Sequence, residues 1–94
     1  MLDTAKLNQE YLFSYPASVG KDIYVLAKNE FLLKNKTFVF MGEMKFKYKI
    51  SRIIPMSYSE DKYIFLFKPK LLGNYLLEVF IDKIHVDTLN LEVV

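Results

Sequence analysis

Between residues 44 and 50 the chain reads MKFKYKI, a strict alternation that suits a strand and no helix. Successive side chains of a strand point to opposite faces. Met44, Phe46, Tyr48 and Ile50 therefore share one face, and Lys45, Lys47 and Lys49 the other. The spacing predicts a half-buried strand with its apolar row turned to a core.

The rest of the chain breaks into pieces of the same kind. Residues 1–9 are polar and read as a flexible leader, leaving residues 10–94 as a single domain. A first strand is expected over 10–15 (EYLFSY), stopped by Pro16 and the turn PASVG. Residues 21–28 (KDIYVLAK) form the next, with Ile23, Val25 and Ala27 in phase. The segment 28–36 reads equally as a loop or one helical turn. Strands follow over 37–41 (TFVFM), 44–50, 63–67 (YIFLF), 74–82 (NYLLEVFID) and 87–94 (DTLNLEVV). Polar or proline turns separate them. About seven short strands without a convincing helix point to two packed antiparallel sheets.

Composition narrows the function. With 94 residues, 52% of them hydrophobic and 16% aromatic, the chain makes one ordered domain. There is no Cys, which excludes disulfides, thiolate metal sites and Cys nucleophiles. Thirteen basic residues against 11 acidic ones give a net charge of only +2. All the basic residues but Arg52 are Lys, so the guanidinium chemistry that favours phosphate and base contacts is scarce. Nucleic acid is a disfavoured partner on both counts. No run approaches the ~20 apolar residues of a membrane span. The polar start lacks the apolar core of a signal peptide. That leaves a cytoplasmic protein, or a periplasmic or cell-surface domain cut from a longer exported chain.

Residues 67–82 read FKPKLLGNYLLEVFID, with Gly73 and Tyr75 set between a proline turn and an alternating strand. In immunoglobulin-like sandwiches a Tyr near the start of the penultimate strand folds over the preceding loop, where its hydroxyl bonds backbone. Gly73 permits the turn, Tyr75 supplies the corner, and Leu77, Val79 and Ile81 continue its inward phase. The order PxxxGxYxxxV, a short turn, then LNLEV resembles the ends of filamin-type and bacterial immunoglobulin-like domains, mainly over residues 61–94. The Cys–Trp–Cys core of antibody domains is absent. The resemblance implies an all-β, immunoglobulin-like antiparallel sandwich that acts as a non-catalytic binding, spacer or scaffolding module. It would belong to a larger bacterial or cell-envelope protein.

Reactive groups are few. His85 is the sole His, too little for a metal site, and reads as a surface residue of the last hairpin. The carboxylates Glu60 and Asp61, with Glu43 or Asp82, fall in polar turns rather than a cleft. Gly20, Gly42 and Gly73 are isolated and build no phosphate loop. The expectation is no enzyme and no cofactor. The Lys45, Lys47 and Lys49 row fits an exposed strand guarded against edge pairing. Its alternative role is a polyanion- or carbohydrate-binding face.

A mismatch of phase suggests a contact surface. If Ile23, Val25 and Ala27 face the core, as do Tyr63, Phe65 and Phe67, then Tyr24, Leu26, Ile64 and Leu66 point outward. Immunoglobulin-like order makes these two strands neighbours, so the four would form one apolar patch. The expected partner is a protein, a neighbouring domain or a second copy of the chain; the alternative is that the FLLKNK segment or the N-terminal leader folds over the patch and makes it ordinary core.

Overall fold

The computed structural model describes residues 3–32 and 46–94, with 30–32 and 46–49 as backbone only. Eight strands are present among them: β1 (Asp3–Ala5), β2 (Tyr11–Pro16), β3 (Ile23–Leu32), β4 (Phe46–Ile53), β5 (Ser57–Ser59), β6 (Lys62–Phe67), β7 (Gly73–Ile81) and β8 (Ile84–Val93). They form a five-stranded sheet of order β1-β8-β7-β3-β4 and a three-stranded sheet of order β2-β6-β5. The fold is all-β, and no helix among the described residues is long and apolar enough to cross a membrane. The strand expected over 37–41, and Met44 and Lys45, lie outside the described residues.

Period-two burial builds the core between the sheets. From the large sheet come Ile23, Val25 and Ala27 of β3, Tyr75, Leu77 and Val79 of β7, and Leu91 and Val93 of β8. From the small sheet come Tyr63, Phe65 and Phe67 of β6, with the half-buried Tyr11, Phe13 and Tyr15 of β2 beside them. Phe13 stacks on Phe65 at 5.0 Å, and Phe67 meets Tyr75 edge-on at 5.2 Å across the sheets. Two hairpins carry two-residue turns with both φ values positive: Glu60 and Asp61 (51° and 61°), and Asp82 and Lys83 (52° and 67°). That is the type I′ turn, whose twist matches that of its strands.

Three expectations are corrected. The leader is part of the fold: β1 pairs in parallel with β8, and Ala5 is buried. Backbone bonds from Leu7 N–H to the Val94 carbonyl and from Val94 N–H to the Ala5 carbonyl hold it there, so it needs almost no apolar side chains. The apolar phase of β4 is also reversed. Ile53 is buried opposite Val25, whereas Ile50 lies opposite Lys28 and is 56% exposed. Register against β3, not the alternation itself, decides which row faces inward. The strands at 23–32 and 62–67 are not neighbours. β3 lies between β7 and β4, and β6 between β2 and β5, in the opposite sheet.

The Gly73 and Tyr75 corner is built as a closed unit. Gly73 takes a φ of 101°, open to glycine and strained for other residues. The buried Asn29 amide donates to the Leu72 carbonyl at 3.2 Å and to the Asn74 carbonyl at 3.5 Å, pinning the chain on both sides of it. Burial pushes the Tyr75 phenol up from its ordinary pKa, while backbone N–H groups of Leu71 and Lys70 at its oxygen pull the other way. Tyr75→Phe removes the hydroxyl that lies beside the Leu71 and Lys70 backbone and lowers stability in a urea melt by about 1 kcal/mol. Asn29→Ala strips both carbonyls of their donor and costs about 1–2 kcal/mol. Two negligible losses would contradict the corner.

Candidate functional site

The outer face of the five-stranded sheet carries a row of rings where an antiparallel sheet facing solvent usually carries polar residues. Tyr24 on β3 pairs directly with Phe80 on β7, and the two rings stack at 5.1 Å with 3° between their planes. On the β4 side the Arg52 guanidinium sits over the Tyr24 ring at 4.2 Å. On the β8 side His85 lies against Phe80 at 5.3 Å. A register shift after Val79 brings His85 opposite Phe80. The half-buried Leu26 and Leu76 and the exposed Ile50 extend the apolar surface, and a Lys28 to Glu78 ion pair at 2.7 Å crosses it.

The row presents edges rather than faces. Tyr24 has Arg52 on one side and Phe80 on the other, and Phe80 has His85 beyond it. Sugar rings and nucleobases bind by stacking on a free aromatic face. Ring edges with neighbouring aliphatic groups suit the packed centre of a protein contact.

The four outward residues expected to share one patch are divided. Tyr24 and Leu26 lie in the row just described. Ile64 and Leu66 belong to β6 and face outward from the opposite sheet, with Ser14 and Leu12 as their partners on β2. Of the Lys row, Lys47 pairs with Phe31 and Lys49 with Asn29, while Lys45 lies outside the described residues. Sequence reasoning missed Phe80 and Arg52. The signal was there for Phe80, since Leu76 and Phe80 share the outward phase of β7 in the same way that Tyr24 and Leu26 share that of β3.

A second feature lies on the open side of the sandwich, between β2 and β8. A groove of about 490 Å³ runs there, lined by Asp3, Phe13, Leu77, Leu89 and Asn90 among others. Two hydrogen bonds bridge the sheets on this side of the sandwich. The Tyr11 hydroxyl donates to Asp3 Oδ2 at 2.9 Å, and the Tyr15 hydroxyl to Asp87 Oδ2 at 3.1 Å. Burial, the hydrogen bond and the Asp3 charge push the Tyr11 pKa up to about 12. Burial and Asp87 raise Tyr15 in the same way.

The other titratable groups are dispersed. Glu60 and Asp61 form the hairpin turn, where Asp61 Oδ1 accepts the Tyr58 hydroxyl at 3.2 Å. Asp82 sits in the other hairpin, held by Lys21 at 3.5 Å. His85 is exposed, with Nε2 2.9 Å from the Thr88 hydroxyl. Among the described residues no three His, Cys, Asp or Glu side chains converge as a metal site would need.

Comparison with known families, curated proteins and solved structures finds no match to this chain.

The two Tyr–Asp bridges make stability sensitive to alkali. Both folded pKa values lie above the unfolded value of about 10, so the stabilisation is complete below about pH 10 and is lost as pH rises through the folded values, about 12 for Tyr11. Urea midpoints measured across that window should fall, and fall less steeply in Tyr11→Phe/Tyr15→Phe. Identical slopes would show that the bridges do not hold the sheets.

Proposed function

We propose that this chain is an immunoglobulin-like sandwich acting as a non-catalytic protein-interaction or spacer module of a larger bacterial or cell-envelope protein. Its contact surface is the outer face of the five-stranded sheet. The strand order supports the first part. Counting β2 as strand B, the small sheet reads B-E-D, and the large sheet reads G-F-C-C′ with a short strand beside G. Under this lettering β3 stands in place of C, and Tyr75 lies at the start of F.

The observation that carries the binding role is the ring row. Tyr24 and Leu26 of β3 and Leu76 and Phe80 of β7 occupy outward positions where solvent contact would favour polar residues, with only the Lys28–Glu78 ion pair between them. A module whose only role was spacing would not need them. The carbohydrate alternative fits this face less well, because both faces of the Tyr24 ring are already occupied.

The outward placement makes a separable prediction. Leu26→Ser/Phe80→Ser should keep the native circular dichroism and a cooperative urea transition, since neither side chain belongs to the buried core. A photo-crosslinker at position 26 should capture a protein in the source cells, whereas one at the exposed Lys70 should not. Loss of folding in the double variant, or equal capture from both positions, would remove the outer face as the contact surface.

A further inference from the structure

Among the described residues four strands stand at sheet edges: β1 and β4 in the large sheet, β2 and β5 in the small one. An edge presents unpaired N–H and C=O groups, and proteins that stay apart guard it with brevity, charge or proline. β1 and β5 are three residues long. β4 is eight residues long and carries Lys47, Lys49 and Arg52. β2 has no such guard: it reads YLFSYP, uncharged from Tyr11 onward, with Pro16 only at its end. On its outward row Leu12 is 60% exposed and Ser14 is exposed.

We infer that β2 is a self-pairing edge, which joins β2 of a second copy antiparallel about a two-fold axis at Phe13. Alternation restricts the pairing to registers in which inward rows meet inward rows. Among these, centring on Phe13 overlaps all of Tyr11–Tyr15, with Tyr11 against Tyr15 and Leu12 against Ser14. No charged residue of β2 meets its own image. Two-fold pairing consumes both free edges and closes the assembly as a dimer.

Charge complementarity supports a second copy as occupant. In this register Glu10 of one copy comes alongside Pro16 of the other, and Pro16 is itself paired with Lys62. Glu10 and Lys62 are both exposed, and both belong to the outward row. They would lie two strand spacings apart, about 10 Å between backbones, within reach of each other's side chains across the Pro16 ring. The two-fold axis makes this pair twice. This edge lies in the sheet opposite the ring row, so the inference does not depend on the proposed outer-face contact.

Sedimentation velocity of the 94-residue chain over a concentration series tests it. The expected wild-type result is a monomer–dimer equilibrium. Leu12→Lys/Ser14→Lys should yield monomer with unchanged circular dichroism, because both positions are exposed. Glu10→Lys should weaken the dimer roughly fivefold, and Glu10→Lys/Lys62→Glu should restore it. A wild type that stays monomeric at every concentration overturns the inference. So does a dimer indifferent to the β2 variants but broken by Leu26→Ser/Phe80→Ser, which would place self-association on the ring row.

Discussion

Everything in this fold hangs on the burial of one alternate row from each central strand between two sheets. Val25, Ala27, Leu77 and Val79 line one wall, and Phe65 with its neighbours Tyr63 and Phe67 the other. Because the period is two, moving any of these strands by one residue would exchange its core row for its solvent row. The core thus dictates the register of β3 against β7, and through it what reaches the outer face. Tyr24 meets Phe80 because Val25 meets Val79 one residue away.

The ends and sides of the sandwich are closed mainly by tyrosines. Tyr75 seals the corner before β7, with Asn29 holding the backbone beside it. The Tyr63 hydroxyl accepts the Lys21 N–H at 3.0 Å and donates to the Ser18 carbonyl at 3.0 Å, tying the loop before β3 onto β6. Tyr11 and Tyr15 bridge the groove side. Each ring adds buried apolar area, and its hydroxyl satisfies a polar group that the closure would otherwise strand. In a domain with no disulfide this is a way to join sheets that share no strand.

Much of the core was legible from local alternation. Ile23, Val25 and Ala27, Tyr63, Phe65 and Phe67, and Tyr75, Leu77 and Val79 are buried in the phases their spacing predicts. What alternation lacks is an origin and a partner. It separates two rows of β4 but does not say that Ile53, not Ile50, is the inward one; that depends on pairing with β3. It does not say which strand lies beside which, so Tyr24 and Leu26 were joined to Ile64 and Leu66 of the wrong sheet. β1 was invisible for another reason: its three residues are held by backbone bonds, which leave little trace in composition. Only part of the outer face was foreseen, since Arg52 reaches Tyr24 through a neighbour 28 positions along the chain.

The division of strands between sheets is the central claim, and backbone nuclear Overhauser contacts measure it directly. Cross-strand contacts should link β3 to β7, in the register that sets Val25 against Val79 and Leu26 against Glu78, and should link β6 to β2 with Phe65 against Phe13. Backbone contacts between β3 and β6 should be absent. Finding β3 paired with β6 instead would put Tyr24, Leu26, Ile64 and Leu66 back on one surface and contradict the arrangement described here.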